Sequence, residues 1–118
     1  MYLPSFCSFR MTDIWRSFIA QRIAWSCGWS ILFHNSTVIQ ERNKHNLMKD
    51  FEDEISGYKN NLKLMNNLIK LKLKPGIKNI KYNMILCYRE LIRINLIDKK
   101  ELKLLNAWFL DLKSIKKN

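Results

Sequence analysis

The residues best suited to chemistry gather near the N-terminus, where Arg10, Asp13 and Arg16 lie within about two helical turns. Thr12 is a good N-cap, so a helix is expected to begin at Asp13, with the carboxylate at the positive end of the helix dipole. Backbone N–H groups there stabilise the ionised form. An ionised Asp13 can accept a proton from a hydroxyl group, with Arg10 or Arg16 available for a phosphate. An ordinary helix start explains the same residues without any chemistry.

Two histidines are candidates for binding a metal or a substrate. His34 and His45 lie much farther apart than the i, i+4 spacing of paired helical ligands. His34 directly precedes a polar loop, so it is the better candidate for contact with a metal or a phosphate. A metal site formed by the two histidines is only weakly indicated, and a structural role of His34 is favoured over such a contact.

Acidic and thiol groups give weaker signals. Asp50, Asp53 and Glu54 share one helical turn and resemble a carboxylate cluster for a divalent cation. Lys49 precedes Asp53 by four residues, so we favour a surface charge pair. The three cysteines are widely spaced and form no C-x-x-C pair, which indicates small buried side chains rather than disulfides or a zinc site.

The elements that would position these residues follow from the apolar periodicity. A first helix is predicted over residues 13–27, with Gly28 as its stop. The β-favouring runs 31–34 and 38–40 predict two short strands around a polar loop. A second helix is predicted over residues 45–55, ending near Gly57.

The apolar spacing in the second half of the chain predicts three amphipathic helices with short connections. The first carries Leu62, and Pro75-Gly76 ends it. The next carries Met84 and Leu91, and Asp98 caps the last. Such helices indicate a bundle or a helical tail packed on something larger.

Composition limits the function classes. With 118 residues, 47% apolar and 26% charged, the chain is expected to form one modest core. Residues 1–58 have no net charge, and residues 59–118 carry +11. Because thirteen of the fifteen basic residues there are Lys, we favour a solvated face and do not favour nucleic acid as a partner.

Membrane and secretion signals are not expected in this chain. Gln21 and Arg22 interrupt the most apolar stretch, residues 18–33, so no transmembrane segment is predicted. Residues 1–10 lack a basic flank followed by an apolar run, so no secretory signal is predicted either.

Two stretches of the sequence resemble the STELLO family of glycosyltransferases. The first is Ser8-Phe9-Arg10-Met11-Thr12-Asp13-Ile14-Trp15-Arg16, continuing to Arg22, and the second runs from Val38 to Met48, followed by Asp50-Phe51 and Asp53-Glu54-Ile55. The tail from Lys74 to Leu112 is similar in layout.

This resemblance implies a GT-A-like α/β glycosyltransferase domain that uses a nucleotide sugar and a glycan acceptor. Plant members are Golgi-associated and associate with cellulose synthase, so Golgi localisation rests on the resemblance alone. The Thr12-Asp13 step resembles the acidic motif that opens an acceptor-side helix in GT-A enzymes, which makes Asp13 the candidate catalytic base. Other candidate site residues are His34 for a metal and Arg10, Trp15, Arg16, Arg42, Asn43 and His45 for substrate.

The resemblance also implies that part of the domain is missing. A GT-A domain binds its nucleotide on an N-terminal parallel sheet whose carboxylate pair holds Mn or Mg. We therefore expect a mostly α C-terminal portion with a short β element, inactive alone and completed by an upstream half or a partner protein. Residues 1–58 would form its acceptor side, and residues 59–118 a basic helical subdomain.

A second hypothesis is a non-catalytic helical interaction protein of a Golgi polysaccharide-synthesis assembly. Its apolar helix faces would dock on a partner. A basic binding module is a third hypothesis, and it predicts retention on heparin.

Overall fold

Four helices form the part of the chain that the computed structural model describes, residues 1–41 and 44–115. Short 3₁₀ turns at Phe9–Met11 and Ile77–Asn79 precede the first and third helices. The described residues contain no strand. The prediction of a mostly helical chain is therefore confirmed, and the four helices are α1 (Thr12–Ser26), α2 (Leu47–Lys70), α3 (Ile80–Arg93) and α4 (Glu101–Ile115).

Helix α1 agrees with the predicted helix to within one residue at each end. Thr12 does not cap it, however, because Thr12 already has helical backbone angles and its Oγ1 donates to the carbonyl of Phe9 at 2.8 Å. The 3₁₀ turn leads directly into α1, so the first helical turn needs no separate side-chain cap. Gly28, at φ 74°, follows the helix.

Helix α2 was expected to end near Gly57, and this expectation was wrong. Asn46 caps the helix by accepting from the N–H groups of Met48 and Lys49, and the helix then continues to Lys70. Gly57 is buried within it, and a Cβ added there would lie 2.4 Å from Met11 Sδ. Gly57 therefore serves close packing rather than helix termination. Residue 58 lies inside α2, and the division of function at that point stays a prediction.

The two short strands predicted at residues 31–34 and 38–40 are not present. Residues 29–41 have no regular structure and are all exposed, with Phe33 at 89% and Ile39 at 99% exposure. Two short strands are marginally stable in water unless another strand or helix covers one face. No residue of this segment is buried and no described strand pairs with it, so its β-favouring composition does not produce a sheet.

The core lies where α1 packs against α2 and α3, with α4 packed against α3. Its members share the 3.6-residue periodicity that predicted the helices. Burial raises the pKa of the Cys87 thiol to about 12, as expected for a small side chain in an apolar core. The most deeply buried apolar residues are Met11, Trp15, Ile19, Leu64, Met84, Cys87, Tyr88, Leu91 and Leu105.

The connection between α2 and α3 is held by a buried amide. Asn83 Oδ1 accepts from the N–H of Lys74, and Asn83 Nδ2 donates to the Lys74 carbonyl at 2.7 Å and to Ser26 Oγ at 3.2 Å. Gly76 adds a backbone hydrogen bond to Ser26. These contacts fix the turn against the end of α1.

The N-terminal residues are tied to the start of α4 by one buried carboxylate. Glu101 accepts hydrogen bonds from the backbone N–H groups of Ser5 and Phe6 and from the Tyr2 hydroxyl. Burial, followed by the neighbouring carboxylate, raises the pKa of Tyr2. The hydroxyl of Tyr88 also donates to the Tyr2 carbonyl at 3.0 Å. Residues 1–6 are thereby part of the folded structure.

No helix among the described residues combines the length and apolar content needed to cross a bilayer.

The contact between Gly57 and Met11 predicts that the effect of Gly57→Ala on the free energy of unfolding changes sign when the Met11 side chain is removed. In an exposed helix, Gly→Ala stabilises by about 1 kcal/mol, but here the new methyl group would press on Met11. We expect Gly57→Ala to lower the free energy of unfolding in the wild-type background and to raise it in the Met11→Ala background. Urea unfolding followed by tryptophan fluorescence measures both effects. Equal effects in the two backgrounds would show that the contact is not close.

The buried carboxylate of Glu101 predicts a large loss of stability on truncation. Glu101→Ala leaves three donors without their acceptor, so the free energy of unfolding should fall by about 3 kcal/mol. Asp111→Ala, at an exposed position of the same helix, is the matched control. A loss equal to that of the control would contradict the assigned anchoring role.

Candidate functional site

A cluster of four charged or polar side chains lies where the start of α1 meets the start of α2. Arg10 Nε donates to Asp50 Oδ1 at 3.0 Å, and the Arg10 guanidinium also pairs with Asp50 Oδ2. His45 Nδ1 contacts the same Oδ2 atom and lies 3.5 Å from an Arg10 nitrogen. Glu54 Oε1 is 3.9 Å from Arg10 Nε. Asp50 therefore links the turn before α1 to the residues before α2.

Local packing places these side chains. The 3₁₀ turn that carries Arg10 is held on α2 by the close contact of Met11 with Gly57 and by Ser8 Oγ, which donates to the Asp53 carbonyl at 2.7 Å. Asp50 lies in the first turn of α2, seven residues before Gly57, so both are on the helix face directed at α1.

The charges of the cluster favour an ionised Asp50. Partial burial raises the pKa of this carboxyl, but hydrogen bonds from His45 and Arg10 outweigh that effect and lower the pKa below its ordinary value of 3.8. The carboxylate side chain is one-fifth exposed. It acts as a fixed acceptor that orients the Arg10 guanidinium and the His45 ring.

Asp13 lies beside this cluster and is exposed. Its Oδ1 accepts from the N–H of Ile14 at 2.9 Å, as expected for a carboxylate in the first turn of a helix. Asp13 lines two open surface pockets of about 380 and 940 Å³. Arg16 lines the smaller pocket, and His45 and Asp50 line the larger one. The structure thus brings Arg10 and Asp13 together with Arg16 at the smaller pocket and with His45 at the larger one.

Four other predicted site residues lie elsewhere or outside the described part. Trp15 is 1% exposed and its indole N–H donates to Asn61 Oδ1 at 2.9 Å, so contact with a substrate would require the core to open. His34 is on the exposed segment, 2.6 Å from the Asn35 carbonyl, and lines neither pocket. Arg42 and Asn43 lie outside the described residues.

Metal binding has no ligand set in the part of the chain that the structure describes. No group of three or more His, Cys, Asp or Glu side chains there could hold a metal ion. The surface charge pair predicted between Lys49 and Asp53 is not among the ion pairs of the described residues. Asp50 of the acidic cluster instead pairs with Arg10. A metal role for His34 stays a prediction.

Asp50 is the member of the cluster that the sequence did not single out as a site residue. Its spacing offered a signal, since Asp50, Gly57 and Leu64 recur every seven residues and share a helix face. Leu64 and Gly57 are buried, which directs that face toward α1. Charge pairs expected from helical spacing do not include Arg10, because Arg10 lies 40 residues from Asp50 in the sequence.

The residues of this site fall within a stretch that matches a known family. The model of the STELLO glycosyltransferases matches residues 10–118, a stretch that begins at Arg10 and includes the whole of α1 and α2. The chain belongs to the STELLO glycosyltransferase family. The resemblance noted from residues 8–22 is thereby confirmed. No match was found among curated proteins or among solved structures.

The ionic contacts in this STELLO chain predict a low titration midpoint for Asp50. The carboxyl-carbon NMR signal should titrate below pH 3.8, and Arg10→Gln should raise the midpoint because a positive donor is removed. Arg16→Gln is the matched control, since Arg16 makes no ion pair with Asp50. Because the folded-state pKa is depressed, the stability contributed by Asp50 is present above its ordinary pKa and is lost as the pH falls through the folded value. A midpoint at or above 3.8 in the wild type would contradict this electrostatic description.

Proposed function

We propose that this STELLO chain supplies the acceptor side of a nucleotide-sugar-dependent glycosyltransferase site, with Asp13 as the group that orients or deprotonates the acceptor hydroxyl. The observation that supports this proposal is the position of Asp13. It is exposed in the first turn of α1 and shares an open pocket with Arg10, His45 and Asp50. A general base must be reachable by the hydroxyl group that it serves, and this carboxylate is.

The neighbouring cluster would bind and orient a hydroxyl-rich acceptor. Asp50 holds the Arg10 guanidinium and the His45 ring in fixed positions, so their remaining donors are presented to the pocket in a defined geometry. Arg16, at the adjoining pocket, is placed to contact a phosphate or a further sugar hydroxyl. These residues would position the acceptor rather than exchange its proton.

The proposed reaction is a simple transfer. Asp13 takes the proton as the acceptor oxygen forms a bond to the anomeric carbon of the donor, and the bond to the nucleoside diphosphate breaks. The described residues do not fit a divalent cation, since no three-ligand group is present among them. No step is therefore assigned to a metal on this chain.

Donor binding would require a further protein segment. In a GT-A-like domain the nucleotide lies at the end of a parallel sheet, and residues 1–41 and 44–115 contain no strand. We infer that an upstream segment or a partner protein supplies this half. Calorimetric titration of the 118-residue chain with a UDP-sugar and Mn²⁺ should then give no binding heat.

The acceptor role is tested by NMR titration of the chain with neutral oligosaccharides of glucose, xylose, mannose and galactose. Amide shifts should change at residues 9–16 and 45–54. Asp13→Asn should weaken binding about tenfold, because a hydrogen bond to a charged group is lost.

The matched control is Glu52→Gln, an exposed carboxylate of α2 that lines neither pocket. It should leave the affinity unchanged. In an assembly that also binds the donor, Asp13→Asn should abolish transfer, and transfer that survives this substitution would remove Asp13 from the mechanism.

A non-catalytic interaction protein is the second candidate function, and the large exposed apolar side chains of α2 favour it. Tyr58, Leu62 and Ile69 are all more than half exposed. This alternative predicts that no sugar binds at the Asp13 pocket. It also predicts that partner binding is abolished by substitutions on α2 and not by substitutions at the pocket.

A further inference from the structure

Helix α2 has a second apolar face that its own fold does not cover. The buried face carries Gly57, Leu64 and Leu68. On a different side of the helix, apolar residues recur at alternating spacings of three and four residues through three heptads. They are Met48, Phe51, Ile55, Tyr58, Leu62, Met65 and Ile69, and we call them the α2 seam.

Six of the seven seam residues are exposed. Met48, Tyr58 and Leu62 are each 68% exposed, and Met65, the least exposed of the six, is 40%. Single exposed apolar side chains are ordinary, but a continuous stripe is typical of an interaction surface. At 1.5 Å per residue the seam is about 32 Å long.

The spacing of the seam indicates a helix as its partner. Apolar residues that repeat every 3.5 residues keep facing a second helix that wraps around the first. In heptad notation Met48, Ile55, Leu62 and Ile69 are the a positions, and Phe51, Tyr58 and Met65 are the d positions. A lipid surface is less suitable, because the acidic Glu52 lies directly beside Phe51.

The charges beside the seam point to a second copy of this chain. Glu52 and Lys59 occupy successive e positions, and both are exposed. When two copies of α2 pair antiparallel about an axis between residues 55 and 58, Phe51 lies opposite Leu62 and Met48 lies opposite Met65. This register places Glu52 of each copy beside Lys59 of the other, so the surface is complementary to itself.

The antiparallel orientation agrees with the contacts already made within the chain. A parallel pair would place Glu54 beside Lys59 of the second copy. Glu54, however, accepts a hydrogen bond from Tyr58 at 3.0 Å and lies 3.9 Å from Arg10. The exposed pair formed by Glu52 and Lys59 is the more accessible one.

We propose that the α2 seam mediates an antiparallel homodimer of this chain, with reciprocal contacts between Glu52 and Lys59. This inference does not depend on the proposed sugar chemistry. The Asp13 pocket is lined by the start of α1 and by residues before and within the first two turns of α2, whereas most of the seam lies farther along α2.

Sedimentation equilibrium of the 118-residue chain tests the dimer. The wild type should show concentration-dependent association to twice the 14.2 kDa monomer mass. Leu62→Glu should give a monomer, because it places a charge inside the apolar seam. Leu110→Glu is the matched control, since Leu110 is 64% exposed on α4, and it should leave the dimer intact.

Charge reversal tests the orientation. Glu52→Lys and Lys59→Glu should each raise the dimer dissociation constant about tenfold. The reason is that the Glu52–Lys59 contact occurs twice in the dimer, and each substitution brings like charges together at both places. Combining the two substitutions should restore the wild-type affinity. Circular dichroism checks that each variant keeps its helices, and sugar binding at the Asp13 pocket should persist in the Leu62→Glu monomer.

Three results would overturn the proposal. They are a wild-type chain that stays monomeric at millimolar concentration, a dimer that survives Leu62→Glu, and single charge reversals without effect. If the wild type and all variants alike fail to bind sugar, that result would contradict the proposed function. It would not contradict the dimer proposal.

Discussion

The close approach of Met11 to Gly57 is the contact on which the candidate site depends. Because Gly57 has no Cβ, α2 can lie directly against the 3₁₀ turn before α1, whereas an added Cβ would lie 2.4 Å from Met11 Sδ and would require the Met11 side chain to shift. Ser8 adds a hydrogen bond to α2 on the same side. The turn is therefore held in one position, and Arg10 projects over the first turns of α2. Packing of two apolar groups thereby sets the geometry of an ionic cluster.

Helix α2 performs two tasks because its faces differ. One face, with Gly57 and Leu64 buried, fixes the core and directs Asp50 to Arg10. Another face carries the seam and meets solvent. A rigid helix of 24 residues connects them, so a partner bound along the seam would be held at a fixed distance from the pocket. Under our proposals, assembly and acceptor binding would use one element without sharing their central residues.

Much of the fold could be predicted from the sequence, because helix periodicity is a local property. The first helix was located to within one residue at each end, and the last two helices contain the apolar residues from which they were predicted. The prediction of strands at residues 31–34 and 38–40 was wrong, because a strand is stable only when another element pairs with it and covers it. The predicted stop at Gly57 was wrong for a related reason: packing against Met11 overrides the local preference of glycine.

The candidate site, like the fold, has a part that follows from the sequence and a part that depends on tertiary structure. The sequence by itself determined the motif of Arg10, Asp13 and Arg16 around the start of α1, because residues three positions apart on successive helical turns stay neighbours in any fold. Tertiary structure alone decided that Asp50 joins Arg10 to His45 and that Trp15 belongs to the core. The physical reason is that an ion pair or a buried indole depends on which segments pack together, and residues some 40 positions apart meet only after the chain has folded.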